Sequence, residues 1–359
     1  MRGFLIALAL GLVFTPSAWP GSVPKQAPEF SDDVSWLNQG NKVGYWMSHY
    51  RGKVLLVNFW EYTCINCLRE IPELKLLYAK YHPYGFEVIG IHDGEFSIGN
   101  KLENVKQATQ RLALPWPVVF DAQGSMWRAY GATGWPTNYL IDQQGKIVLA
   151  MLGEGKGPII EDKLRHLLAP SHADISEMPM ELAPASLADC LAITPETYVG
   201  GWNGRGALQN KEGYRRGKVT HFIADNTPDD GHIILSGDWK TVDDSIISAK
   251  KSREPPAGSL SLRYHAMSAY AVLSRTNEAR GSRINVTQDG RSLSHEEAGG
   301  DVKFDGPDSF IEVTEPRLYS LVRNKKIESH ILMLSPQLPD LAIHSFTYRN
   351  NCEQEIGAP

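Results

Sequence analysis

The chain has 359 residues, 42% of them hydrophobic and 21% charged, with a net charge of −5. That length allows two ordinary domains, each with a sizeable core, and the composition excludes a disordered or fibrous chain. The acidic balance supplies no bulk attraction for nucleic acid, so a nucleic-acid partner is not expected.

The N-terminus reads as a targeting segment. Arg2 precedes the apolar run Phe4 to Phe14, and small residues follow as far as Ser22. The run is too short for a typical membrane span and has the order of a secretory signal, so residues 1–22 are expected to be a signal peptide or an N-terminal anchor of an exported, periplasmic or extracytoplasmic protein. Residues 23–45 are polar, with room for one short strand. KVLLVNFW (Lys53 to Trp60) has the short apolar run of a buried strand. LREIPELKLLYAKYH then carries apolar residues at 68, 71, 74, 77 and 78, the spacing of a helix that Pro72 should bend. FEVIGIH (86–92) predicts a strand, 102–114 a helix, 117–121 a strand and 124–131 a short helix. A hairpin over 137–153 and a helix over 157–168 complete an α/β unit with mixed strand directions, placed at 23–168. Residues 169–193 have the Pro, Ser and Ala texture of a linker. From 194 to 359 short alternating segments, separated by Gly, Pro, Asn and Asp, predict an all-β sandwich or jelly roll.

The chemistry concentrates in CINC, Cys64 to Cys67. A zinc site normally takes four ligands, and no second pair lies nearby, so no metal is expected. As a purely structural disulfide the pair would close too small a loop to gain much. As a redox couple it has a mechanism. A helix starting near Cys64 would place that sulfur against unpaired N–H groups, which favour the thiolate that attacks disulfides, and Cys67 one turn later would resolve the mixed disulfide. Such a couple needs no bound cofactor. Trp135-Pro136 lies immediately before a strand, as a cis bond that would present a backbone edge to a substrate or as an ordinary trans strand start.

Together GKVLLVNFW, CINCLREIP and GWPTNYLID with QQGKI resemble the TlpA/ResA-like thiol-disulfide oxidoreductases of the thioredoxin superfamily, over about residues 35 to 168. The resemblance implies a thioredoxin-like domain with a βα insertion between Glu95 and Asp121. It also implies Cys64 as the attacking cysteine, Cys67 as the resolving one, Pro136 as a cis-proline and Glu70 as the glutamate that tunes the couple. Asn58 stands where cytoplasmic thioredoxins carry a buried aspartate; asparagine cannot titrate, so the proton must move through another group. The other reading of Glu70 is a solvated helix face. Trp60, Glu61, Trp135, His92 and Glu95 flank the couple as secondary candidates, with a solvated loop the other reading for His92.

WEYTCINCLREIP, VIGIHDGEF and GWPTNYLID further resemble DipZ-type proteins, in which a membrane CcdA-like domain feeds an exported thioredoxin-like domain followed by a carbohydrate-binding-module-like β domain. This chain has no such membrane domain, so a reductase would need a separate CcdA-like donor. Its partners are expected to be protein thiols and disulfides, with a possible glycan at the β domain. Tyr198, Trp202, Tyr214, Trp239, Tyr264, Tyr270 and Tyr319 could form a sugar platform or simply fill the core. Cys190 and Cys352 bracket the β region, as a structural disulfide or as two buried thiols. Two other functions stay open: a thiol peroxidase, although Glu61 occupies the threonine position of PxxxTxxC, and a glycan- or wall-binding module with a vestigial redox domain.

Overall fold

A computed structural model describes residues 26–38, 46–183, 190–201, 206–249, 258–276 and 282–356. The expected signal segment and Trp202 lie outside the described residues. The first unit contains β1 (Ser35–Leu37), β2 (Val54–Trp60), α1 (Ile65–Tyr81), β3 (Phe86–His92), α2 (Leu102–Arg111), β4 (Val118–Phe120), α3 (Ser125–Tyr130), β5 (Thr137–Ile141), β6 (Ile147–Leu152) and α4 (Gly157–Leu168). Its six strands run in the order β1-β4-β3-β2-β5-β6. The central β2, β3 and β4 are parallel, and the outer strands are antiparallel.

Every residue of β2 is buried, because both faces of the sheet are covered. The period of two sorts its side chains. Leu55, Val57 and Phe59 join the cluster under α3, with Met126 and Tyr130. Val54, Leu56 and Trp60 join the layer under α1 and α4, with Leu68, Leu74 and Leu164. Asn58 therefore points into the α1 layer. By the same alternation Asn138 of β5 does too, and the antiparallel register sets it directly opposite Asn58. Two asparagines are thus delivered to one spot in an apolar layer before any helix residue is considered.

The α1 helix continues through Pro72 to Tyr81. The segment read as a linker is packed at its start. Ile175 and Leu182 are buried with the α1/α4 layer, and the buried Glu161 of α4 accepts from the backbone N–H of Glu181 and Leu182 at 2.7 and 2.8 Å.

The second unit is all antiparallel sheet. Its strands are β7 (Thr197–Tyr198), β8 (Val219–Phe222), β9 (Ile233–Thr241), β10 (Ile246–Ser248), β11 (Ser259–Arg275), β12 (Ser282–Gln288), β13 (Arg291–Ser292), β14 (Lys303–Asp305), β15 (Asp308–Val313), β16 (Arg317–Pro336) and β17 (Leu341–Arg349). They form one connected sheet in the order β14-β15-β12-β16-β11-β17-β10-β9-β8, with β13 paired to β12 and β7 to β17, the antiparallel all-β domain expected. The reason lies in the two long strands. The first part of β11 pairs with β9 and its second part with β17, and β10 joins β9 to β17, so the ladder turns a corner without breaking. Bulges at Ala266/Ser268 and Ala269/Tyr270 accompany the turn. The sequence suggests two strands within 317–336 because the charged stretch around Lys325 and Lys326 interrupts the apolar pattern; β16 instead runs through it with that stretch exposed.

Burial along β11 shows where the units meet. It alternates from Ser259 to Ser268, then becomes continuous to Ser274. In the continuous part Ala269, Ala271 and Leu273 face the β core, whereas Tyr270 and Val272, with Leu318 of β16, belong to the α1 layer of the first unit. The two units share a core. Trp239, Tyr264, Tyr270 and Tyr319 are fully buried, so four of the seven aromatics considered for a sugar platform are core residues; each pays for itself by packing rather than by presenting a face to solvent.

Cys190 and Cys352 are joined in a disulfide with a sequence separation of 162. Replacing both cysteines with serine is expected to lower the unfolding free energy by about 2–4 kcal/mol, measured by denaturant titration, because the unfolded chain loses a long closed loop.

Candidate active site

Cys64 is the N-cap of α1, at φ −73° and ψ 114°, and its sulfur accepts from Cys67 N at 3.3 Å. The two sulfurs are 2.7 Å apart in the dithiol form, with Cys67 donating to Cys64. Cys67 is buried and Cys64 keeps a little accessible surface.

Burial pushes both thiols above their ordinary range. For Cys64 the hydrogen bonds from Cys67 oppose the rise, and Glu196 and Glu61 add to it. For Cys67 burial comes first and the neighbouring Cys64 second. This reverses the expected thiolate at the helix start. A helix terminus contributes about 0.3–1 kcal/mol at an exposed site and up to about 2 when partly buried. Burial of the sulfur outweighs that.

Glu70 is not on a solvated helix face. It is 2% exposed, beneath α1. Asn58 Nδ2 donates to its Oε2 at 3.0 Å, Asn138 Nδ2 donates to its Oε1 at 2.7 Å, and Asn58 Nδ2 also donates to Asn138 Oδ1 at 2.9 Å. Burial nevertheless pushes Glu70 up to about 8, against the two amide donors. A carboxyl that titrates there can take or give a proton near neutral pH.

The secondary candidates divide. Trp60 is buried in the α1 layer and set edge-on to His92. His92 is the last residue of β3 and wholly buried, not a solvated loop residue, because the parallel register seats it beside Trp60. Glu61 is buried next to it. Trp135 packs on Trp127 with ring centroids 4.6 Å apart, and the Trp135–Pro136 peptide is cis. Glu95 faces the β domain, accepting from Tyr198 Oη at 2.6 Å.

Sequence reading missed two residues. Asn138 had a signal, a polar side chain at a core position of a strand. Arg69 had none, because its partners come from the far end of the chain. It is buried, donates to the carbonyls of Tyr348 and Gln354, and pairs with Glu154 and Glu353 at 3.1 and 3.2 Å. Other pins cross the same junction: Ser97 N to Asp244 at 2.7 Å and Arg111 to Glu315 at 2.8 Å. Among the described residues no cluster of His, Cys, Asp and Glu is suited to a metal, and no helix is long and apolar enough to cross a membrane.

Comparison with known proteins assigns the fold and the chemistry. Residues 23–150 match the AhpC/TSA family, and residues 194–348 match the family described as thioredoxin like C-terminal domain. The thiol-disulfide oxidoreductase ResA of Bacillus thuringiensis is 31% identical over 145 residues, covering 40% of this chain and 78% of its own. The chain belongs to the ResA-like thiol-disulfide oxidoreductases. Protein DipZ of Mycobacterium tuberculosis is 28% identical over 328 residues; the match covers 90% of this chain, which spans 42% of that relative's length. A solved thiol:disulfide interchange protein from Chlorobium tepidum TLS aligns over 41% of this chain and 99% of its own, at 25% identity and a TM-score of 0.35.

The raised Glu70 fixes a sign. The folded protein holds that proton to about pH 8, whereas an unfolded glutamate releases it near 4.3, so this site weakens folding progressively across that interval. The Glu70→Gln variant should therefore match the parent at pH 4 and exceed it in stability by a few kcal/mol at pH 9, read from denaturant midpoints at the two pH values.

Proposed function

We propose that this ResA-like enzyme works outside the cytoplasm and reduces protein disulfides through Cys64 and Cys67. The observation that carries the reading is the hydrogen-bonded sulfur pair at the start of α1, with Glu70 buried nearby between Asn58 and Asn138. In the reaction Cys64 loses its proton and attacks one substrate sulfur, forming a mixed disulfide and releasing the first substrate thiolate. Once Glu70 has released its own proton, its carboxylate takes the proton of Cys67, which attacks Cys64 Sγ and releases the second thiolate. Both substrate thiolates are protonated, so the dithiol transfers two electrons and two protons and ends as the Cys64–Cys67 disulfide.

The sulfurs support the reducing direction. An oxidant stabilises its reduced form as a thiolate, as does DsbA with a cysteine pKa of about 3.5 and a potential near −120 mV. Here burial pushes Cys64 the other way, which favours giving electrons up. The Cys190–Cys352 disulfide supports an oxidising compartment. A reductase working there needs its electrons resupplied, and we assign that to a separate membrane donor of the CcdA-like kind. The β domain contributes substrate recruitment at its junction with the redox unit, with glycan binding a further property to be measured. A thiol peroxidase is the second reading, favoured by the AhpC/TSA match.

Insulin reduction with thiol trapping tests the proposal. The parent should turn over, Cys64→Ser should be inactive, and Cys67→Ser should accumulate mixed disulfide. The couple should equilibrate with dithiothreitol at about −250 mV or below; a value near −120 mV would make the enzyme an oxidant. Hydrogen peroxide consumed faster than insulin would put the peroxidase first.

A further inference from the structure

The segment that follows β17 reaches back to the redox unit. Residues 350–356 form neither helix nor strand, so contacts of individual groups, not a ladder, must hold them. Arg69 is 6% exposed and lies two residues after Cys67 on α1. It donates from Nε to Gln354 O at 3.2 Å and from Nη2 to Tyr348 O at 3.4 Å, and it pairs with Glu353 at 3.2 Å. Glu355 accepts from Tyr270 Oη at 2.8 Å and from Ser268 Oγ at 2.9 Å, and pairs with Arg349 at 2.6 Å. Cys352 is bonded to Cys190, and beside that bond Leu191 N donates to Asn351 Oδ1 at 2.9 Å.

The guanidinium is where these pieces meet. From the redox unit it has Glu154 at 3.1 Å, and Tyr348, Glu353 and Gln354 supply the rest. Glu353 follows Cys352 directly, so the bond to Cys190 limits how far that carboxylate and the Gln354 carbonyl can move from Arg69. With the bond open, that limit is gone. A guanidinium left under the layer with Glu154 alone is short of acceptors, and a buried charge in that state is drawn to water. Arg69 stands in the helix turn that carries Cys67, so its departure uncovers the start of α1. Cys190 and Cys352 are both partly exposed, and a small reductant can reach the bond.

We propose that the Cys190–Cys352 bond is a redox-sensitive latch that acts through Arg69 as a positioning residue. Closed, it holds the segment after β17 against α1 and keeps Cys64 covered; open, it lets water reach that sulfur. A dithiol opens it. One thiolate of the dithiol attacks a sulfur of the bridge, and its second sulfur then closes the dithiol into a disulfide. Cys190 and Cys352 are left as thiols, having taken up two electrons and two protons. The inference rests on Cys64 as the attacking sulfur. Burial pushes that thiol up, so uncovering it should make it react faster.

The test uses the full chain with Cys67→Ser, which leaves Cys64 as the sole free thiol. Its reaction with 2,2′-dipyridyl disulfide, a neutral probe, is followed from pH 6 to pH 10, with the bridge intact and with Cys190→Ser and Cys352→Ser added. Without the bridge the midpoint should fall and the rate at pH 7 should rise about threefold for each unit of fall, since tenfold more thiolate is partly offset by lower nucleophilicity. In Arg69→Ala the rates with and without the bridge should agree within about twofold, because the bond then has nothing to act through. Equal profiles with and without the bridge overturn the proposal, and a difference that survives Arg69→Ala overturns the route through Arg69. Should the bridge-free chain fail to fold, a short glycine insertion between Cys352 and Glu353 decides. It keeps the bond but frees the residues behind it, so the midpoint should fall as well, and an unshifted profile refutes the latch. The bond must also open in the folded protein. Excess dithiothreitol added to the Cys64→Ser, Cys67→Ser chain should reduce it, by thiol trapping, with near-UV circular dichroism retained; reduction only on unfolding would make it a plain structural bond. A Cys64 inert at every pH, beside a reactive Cys67 in the Cys64→Ser form, would instead sink the assignment of the attacking sulfur and this inference with it.

Discussion

The site depends on one constraint: the start of α1 lies under a second domain. Tyr270, Val272 and Leu318 leave the β core and complete the apolar layer that holds Leu68, Leu74 and Cys67. Each such side chain contributes about 1.5–3 kcal/mol when removed from water. The contact is thus large enough to fix the two units against each other, where domains meeting through polar surface alone would move. Once the layer closes, water is withdrawn from the sulfurs and from Glu70, and all three shift towards their neutral forms. Protons, not charges, are what the resting site stores.

A dry site must still place polar groups, and it does so in two ways. Around Glu70 the hydrogen bonds close: both oxygens accept, and the two donors come from strands whose register sets them side by side. Asn58 cannot titrate, so it orients Glu70 without competing for the proton. Around Glu61 only one oxygen is satisfied. A closed network holds a shape, whereas the open one leaves a buried oxygen without a donor. The first follows Cys67 by one turn of helix and the second precedes Cys64, so the two sulfurs have different polar neighbours within a short piece of chain.

Much of the redox unit was legible in the sequence because its signals are local. Apolar runs marked β2 and β3, and the period of α1 carried through Pro72. The spacing of Cys64, Cys67 and Glu70 survives translation into structure because all three sit on one short piece of helix. What stayed hidden is tertiary. The upward shift of Cys64 could not be read from a helix N-terminus, since it comes from burial in the folded chain. His92 looked like a loop residue because nothing in FEVIGIH says that the strand's last position is roofed by aromatic rings. In the β domain, alternation showed antiparallel strands but not their connection. Long strands that turn a corner and short strands in two sheets share one period, and the charged stretch in β16 imitates a loop.

The C-terminal segment shows how the second domain is joined to the helix that carries the cysteines. Arg69, two residues after Cys67, is a buried cation whose partners are almost all supplied from Tyr348 onward. Removing one partner of such a group leaves a charge uncompensated away from water, the arrangement proteins tolerate least. The same segment carries Cys352, whose bridge to Cys190 ties it to the entry of the β domain. The chain thus leaves the redox unit, builds a sheet and returns to hold the helix it left, with a covalent bond limiting how far that return can stray. A fold that only needed a recruiting module could hang it from a loose linker. One that closes the module onto the start of α1 through a buried arginine makes the two units one packed body.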